Sequence, residues 1–91
     1  MTTLCISYDL NKEGKNYPGL IAKIREEFPT YWHHLDSMWL IVTEMKPAAV
    51  RELLKPYLDA DDELLVATIL PPAAWTGFND RGSKWLKDNL N

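Results

Sequence analysis

The stretch Thr3 to Leu10, TLCISYDL, has the alternating pattern of a half-buried β-strand that ends on a carboxylate. One set of positions carries large apolar or aromatic side chains, which are Leu4, Ile6 and Tyr8. The intervening positions carry small or polar side chains, which are Cys5, Ser7 and Asp9. A period of two predicts a strand with one face on a core. Because the polar segment 11–16 follows directly, Asp9 is predicted to lie where the strand meets a loop.

A helix and two strands are predicted next along the chain. Apolar residues recur every three or four positions from Tyr17 to Phe28, which predicts an amphipathic helix that Pro29 ends. Strands are predicted at Thr30 to Leu35 and at Met38 to Glu44. The two residues between these strands predict a tight hairpin, although the usual Asn-Gly or Asp-Gly turn pair is absent.

The following segment predicts a second helix and a fourth strand. The helix is predicted at Pro47 to Leu58, with Pro56 loosening its final turn. The strand is predicted at Leu64 to Leu70. The complete order predicts an α+β fold of ferredoxin-like βαββαβ type, with an antiparallel sheet, both helices on one face, and strands one and three central. We expect this domain to span residues 1–70, followed by a C-terminal extension at 71–91.

Strands three and four are apolar on both sides, which predicts that both faces of the sheet are covered. Two helices cover only one face, and an exposed apolar sheet of that size would be an interaction surface. The candidates for the second cover are the extension and a second copy of the chain. Within the extension, Asn79 or Ser83 is predicted to cap a short helix that runs through Leu90. The sequence leaves open whether the extension packs on its own domain or on a dimer partner.

Composition limits the class of protein. The hydrophobic fraction of 46% is that of a globular domain, and the net charge of −3 argues against a sequence-independent DNA coat. The single cysteine, Cys5, cannot form an internal disulfide, which suits a reducing compartment. No apolar run approaches the roughly 18 residues of a membrane span, and the start lacks a signal-peptide pattern. We therefore expect a cytoplasmic protein with no membrane segment.

Charged residues near the end of the first strand are the first candidates for chemistry. Asp9 with Lys12 and Lys15 predicts either a small metal-and-phosphate site or an ordinary charged loop. Asp9 can equally end the strand by hydrogen-bonding its own loop. The pair His33 and His34 is predicted on a strand, where neighbouring side chains point to opposite faces. At most one of these imidazoles can therefore face a given site.

Other motifs are weaker. The acidic run 59–63 lacks the spacing of a calcium-binding loop, so a solvated turn is the simpler interpretation. The sequence contains no phosphate-binding glycine loop and no serine nucleophile elbow.

Three segments resemble the CRISPR-associated Cas-two family. Ile6 to Leu10, ISYDL, resembles the first-strand motif of that family, and Leu35 to Trp39, LDSMW, resembles its hairpin. Asp61 to Val66, DDELLV, resembles the acidic turn before its last ferredoxin strand. The resemblance covers residues 3–70 in order and spacing. It is strongest to the SinR-like members, which are related to the virulence-associated protein D toxins.

The resemblance implies a homodimer of prokaryotic antiviral-defence or toxin type. It implies that Asp9 from both subunits binds Mg²⁺ for phosphodiester hydrolysis, so that Asp9 is the metal ligand and catalytic residue of an endonuclease acting on RNA or DNA. Lys12 and Lys15 are then the candidate nucleic-acid contacts. The alternative is a non-catalytic dimeric adaptor that binds a protein partner. The acidic charge, together with four Trp and four Tyr, favours this alternative.

Overall fold

The computed structural model describes residues 1–10 and 17–90, which form a small α+β fold. Within these residues the chain forms a four-stranded antiparallel sheet and three α-helices. The strands are β1 (Thr2–Asp9), β2 (Tyr31–Leu35), β3 (Met38–Thr43) and β4 (Glu63–Thr68). The helices are α1 (Tyr17–Glu27), α2 (Pro47–Leu54) and α3 (Asp80–Asn89). None of the helices in the described part of the chain is long and apolar enough to cross a membrane.

The sheet has the strand order β2-β3-β1-β4, so β1 and β3 are central and β2 and β4 are edges, as predicted. β1 pairs antiparallel with β3 on one side and with β4 on the other. The register aligns Ser7 with Met38 and Asp9 with Glu63. The β2–β3 turn and the start of β4 therefore both lie beside the end of β1, where the sequence placed its candidate carboxylate.

The alternation of β1 divides its side chains between two apolar clusters, one on each face of the sheet. On the face that α1 and α2 cover, here called the helix face, nine side chains are buried almost completely. They are Leu4, Ile6, Leu20, Ile24, Phe28, Trp39, Ile41, Val50 and Leu54. Burying one side chain of this size stabilises the fold by about 1.5–3 kcal/mol. The apolar stripe of α1 and the alternating residues of the strands thus build one shared core.

Two prolines, Pro47 and Pro56, lie at the start and just beyond the end of the second helix. Pro47 occupies the first turn, where a missing N–H costs nothing, and the helix begins without a side-chain cap from Lys46. Regular α-helix ends at Leu54 and a 3-10 turn, Lys55–Tyr57, contains Pro56. The predicted loosening at Pro56 is therefore confirmed, because that residue has no N–H to continue the helical hydrogen bonds.

The opposite face of the sheet, here called the tail face, is covered in part by residues 71–90 of the same chain. Its buried cluster consists of Cys5, Trp32, Leu40, Leu86 and Leu90. The Asn79 side chain caps α3 by accepting a hydrogen bond from the Gly82 N–H at 2.8 Å, which decides between the two predicted caps. At the other end of α3, the Thr3 hydroxyl donates to the Asn89 carbonyl at 2.7 Å. The extension therefore packs on its own sheet.

The cover of the tail face does not extend over all of β4. Leu65, which points to the tail face beside Ser7, is 61% exposed, and Leu70 is 72% exposed. Ile69, directly after β4, packs against the tail-face cluster. The part of the tail face around Leu65, here called the uncovered patch, therefore has no cover at the β4 edge of the sheet.

Candidate functional site

Asp9 lies exposed at the end of a central strand, between two surface pockets. The first pocket, of about 300 Å³, is lined by Tyr8, Asp9, Leu10, Leu20, Ile21, Asp36 and Ser37. The second, of about 380 Å³, is lined by Ser7, Tyr8, Asp9, Glu63, Leu64 and Leu65. The side chain of Asp9 is thus presented to solvent on a rigid element, which is the usual setting of a binding or catalytic group.

A second acidic residue, Asp36, lines the first pocket and was not among the predicted site residues. It lies in the turn between β2 and β3, and the Tyr8 N–H donates to the carbonyl of the neighbouring Ser37 at 3.0 Å. This hydrogen bond holds the turn against the end of β1. The predicted topology could have identified Asp36 as a neighbour of Asp9. An antiparallel strand beside β1 must begin next to the end of β1, so the turn before it lies there too.

Glu63 approaches Asp9 from the other side, through the antiparallel register of β1 and β4. The acidic run before β4 forms a closed turn, as its simpler interpretation predicted. The Asp62 carboxylate accepts from the Asp59 N–H at 2.9 Å, and the Asp62 N–H donates to the Asp59 carbonyl at 3.1 Å. Asp59 and Asp62 therefore satisfy backbone groups of the turn, and Glu63 lies beside Asp9 in the sheet.

A hydrogen bond in the core holds the residue before Asp9. The Trp39 indole, which is completely buried, donates from Nε1 to the Tyr8 hydroxyl at 3.0 Å. A buried indole N–H without an acceptor would be costly, so this bond fixes both rings. Tyr8 in turn forms part of the wall of both pockets beside Asp9.

The residues around Asp9 carry oxygen atoms of the kind that Mg²⁺ binds. Asp9 and Asp36 line the first pocket together with Tyr8 and Ser37, and carboxylate and hydroxyl oxygens are hard ligands of the kind that Mg²⁺ binds. Among residues 1–10 and 17–90, no group of three or more His, Cys, Asp or Glu side chains is placed to hold a metal ion. Mg²⁺ commonly takes only one or two carboxylates and completes its shell with water and substrate phosphate. Lys12 and Lys15, the predicted nucleic-acid contacts, lie outside the described residues.

The two neighbouring histidines point to opposite faces of the sheet, as predicted. The His33 ring stacks on Trp39 of the helix face, with ring centres 3.7 Å apart. The His34 ring lies on the tail face near Phe78, with ring centres 6.0 Å apart. The two imidazoles therefore point to opposite sides of the edge strand and do not form one metal site.

The lone cysteine is a packing residue of the tail face. Cys5 is a free thiol that is 6% exposed, below α3. Burial raises the pKa of the Cys5 thiol above its ordinary value, because the charged thiolate loses its solvation. A thiol of this kind is a poor nucleophile at neutral pH.

Comparison of the chain with protein-family models, with curated proteins and with solved structures finds no match.

Proposed function

We propose that the chain is a Cas-two-like protein with a ferredoxin-like fold, acting as a homodimeric Mg²⁺-dependent endonuclease on RNA or DNA in prokaryotic defence or as a toxin. The element order β1-α1-β2-β3-α2-β4 and the central position of β1 and β3 support the ferredoxin-like description. The observation that carries the proposed activity is the exposed Asp9 carboxylate at the end of β1, sharing a pocket with Asp36.

Each residue of the pocket has a separate task in this proposal. Bound Mg²⁺ would activate a water molecule and neutralise the charge that develops on the phosphodiester. Asp9 would be its protein ligand, and Asp36 would orient a water molecule of the metal shell. The hydrogen bond from the Tyr8 N–H to Ser37 keeps both carboxylates at the same end of the sheet.

The uncovered part of the tail face supports the proposed homodimer. Leu65 lies on the same face as Asp9, two positions along β4 from Glu63. A second copy that covered Leu65 would therefore lie next to Asp9, and a two-fold axis there would bring two Asp9 carboxylates close together. One carboxylate from each copy would then serve one site.

The deciding experiment measures cleavage of labelled RNA and DNA with Mg²⁺ or EDTA. We expect Asp9→Ala to abolish cleavage that the wild-type protein shows only with Mg²⁺. Glu44→Gln is the matched control, because Glu44 is an exposed carboxylate beyond Thr43, at the opposite end of the central strands. Activity that survives in Asp9→Ala, or that EDTA does not remove, would exclude the proposed site.

A non-catalytic dimeric adaptor is the second candidate function, and the exposed apolar side chains of β4 favour it. Leu65 and Leu70 are among the most exposed large apolar residues of the described chain. An exposed edge strand of this type can pair with a strand of a partner protein or pack against an apolar surface of that partner. A dimer that cleaves neither RNA nor DNA with Mg²⁺ would favour the adaptor over the nuclease.

Light scattering tests the dimer in both proposals. Leu65→Lys places a charge at the centre of the uncovered patch and is expected to give the mass of a monomer. Leu35→Lys is the control, because Leu35 is 44% exposed on β2, the opposite edge of the sheet. An unchanged dimer mass for Leu65→Lys would exclude this patch as the contact.

A further inference from the structure

A cleft of about 510 Å³ follows the outer edge of β2 and takes side chains from both faces of the sheet. It is bounded on one side by β2 and the residues before it, and on the other by the first two turns of α3. The lining residues are Pro29, Tyr31, Trp32, His33, His34, Asn79, Arg81 and Trp85. The Asp9 pockets share none of these residues, so the cleft is a separate surface.

The charge of the cleft is opposite to that of the chain. The chain carries 13 acidic and 10 basic residues, yet no acidic side chain is among the described residues that line the cleft. Its polar groups include the exposed Arg81 guanidinium and two imidazoles. No ion pair or hydrogen bond joins the Arg81 side chain to another described residue. The guanidinium is therefore available to an anionic ligand, which it suits by its planar set of donors.

One wall of the cleft is a flat ring fixed in place. The His33 ring stacks on Trp39 with an interplanar angle of 12° and ring centres 3.7 Å apart. Trp39 is completely buried and is itself fixed by its hydrogen bond to Tyr8. Trp39 covers one side of the imidazole, and the half-buried His33 is a lining residue of the cleft, so only the other side of its ring is left for a ligand. Tyr31, which is 36% exposed and lies 5.2 Å from the Trp39 ring centre, continues this aromatic wall.

The opposite wall is held by close packing against a glycine. A Cβ at Gly82 would lie 3.1 Å from Cε1 and from Nε2 of His34, so the ring occupies space that another residue would fill. The Asn79 cap fixes the same turn of α3 through its hydrogen bond to the Gly82 N–H. His34, on the edge strand β2, is therefore packed against the start of α3, and Arg81 lies in the first turn of that capped helix.

We propose that this cleft binds single-stranded nucleic acid, with bases against the His33 and Tyr31 rings and a phosphate on Arg81. Stacking platforms beside positive charge are the common means of binding single strands, because unpaired bases offer their faces to aromatic rings. A double helix does not offer those faces. The class of ligand, nucleic acid, rests on the proposed function. The binding surface, the preference for single strands and the contacting residues are new.

Binding is measured in EDTA, so that cleavage cannot interfere, with a fluorescently labelled ten-nucleotide oligo(U) or oligo(dT). Tyr31→Ala is expected to weaken binding about tenfold, as loss of one stacked base does. Arg81→Gln is expected to reduce the slope of log K against log salt by about 0.7, the value for one phosphate contact on a single strand. Arg51→Gln is the control, since Arg51 is an exposed arginine on α2.

The outcomes separate this inference from the proposed nuclease. Weakened binding by both cleft variants, with unchanged binding by Arg51→Gln, supports the cleft even if no cleavage depends on Asp9. Unchanged binding by both cleft variants overturns it, even if the protein is a nuclease. Equal binding of a duplex, or binding of an acidic peptide in place of the oligonucleotide, overturns the assignment to single strands. Thermal unfolding of each variant shows that any loss of binding is not a loss of the fold.

Discussion

Replacing Leu86 by alanine is expected to detach α3 from the sheet while the helix-face core stays folded. Leu86 is 3% exposed and lies in the tail-face cluster, which the sheet separates from the larger cluster under α1 and α2. A buried Leu→Ala change costs about 2–5 kcal/mol. Taking about 3 kcal/mol, and about 1.4 kcal/mol for each factor of ten, the population with α3 detached rises about 100-fold.

The Cys5 thiol reports this detachment, because it is buried beneath α3. Its rate of reaction with Ellman's reagent, measured at mildly alkaline pH, is proportional to the population in which it is exposed. The rate is therefore expected to rise about 100-fold in Leu86→Ala. Leu54→Ala is the matched control, because Leu54 is completely buried in the helix-face cluster on α2. That change destabilises the whole fold and leaves the docking of α3 as it was.

Equal acceleration by Leu86→Ala and Leu54→Ala would refute the reasoning. It would mean that Cys5 reacts only when the whole chain unfolds, so that α3 and the sheet form one cooperative unit. An unchanged rate in Leu86→Ala would refute it as well, because Leu86 would then contribute little to docking. The reaction of the thiol in denaturant gives the reference rate for full exposure.

Three further predictions concern single interactions. Asn79→Ala removes the cap of α3 and is expected to lower the free energy of unfolding by about 1 kcal/mol, measured by urea titration. Tyr8→Phe leaves the buried Trp39 N–H without its acceptor and is expected to cost about 1–3 kcal/mol in the same titration. Because burial raises the pKa of the Cys5 thiol in the folded state, its contribution to stability is complete below the ordinary thiol pKa. That contribution falls as pH rises through the raised pKa. Between neutral and alkaline buffer, the free energy of unfolding of Cys5→Ala is therefore expected to fall less than that of the wild-type protein. An equal loss in both proteins would contradict this assignment.

The fold was largely predictable because each local pattern agreed with the others. Alternation in β1 and the apolar stripe of α1 predict elements whose observed ends differ from the predicted ones by at most one residue. The doubly apolar β3 predicted a second cover, and α3 supplies it through Leu86 and Leu90. The choice between a cover from the same chain and one from a second copy could not be made from the sequence. Both would bury the same apolar side chains, and only the path of the chain after Thr68 decides between them.

The candidate sites were less predictable, because they join residues that are distant in sequence. Asp9 was selected from its place at a strand end, and Asp36 was missed although it lines the same pocket. The cleft along β2 was missed completely. It joins residues 29–34 to residues 79–85, and their proximity follows from the docking of α3. The signal in the sequence was the Gly82 position, since a glycine near the start of a helix often permits a close approach.

The docking of α3 has a consequence for function as well as for stability. Arg81 and Trp85 belong to α3, so the cleft exists only while this helix lies on the tail face. The Asp9 pockets, in contrast, are lined by residues of β1, β4, α1 and the β2–β3 turn, and no residue of α3 lines them. Detaching α3 by Leu86→Ala should therefore weaken oligonucleotide binding and leave the Asp9 pocket intact. A single helix that completes the apolar core would thus control one proposed surface independently of the other.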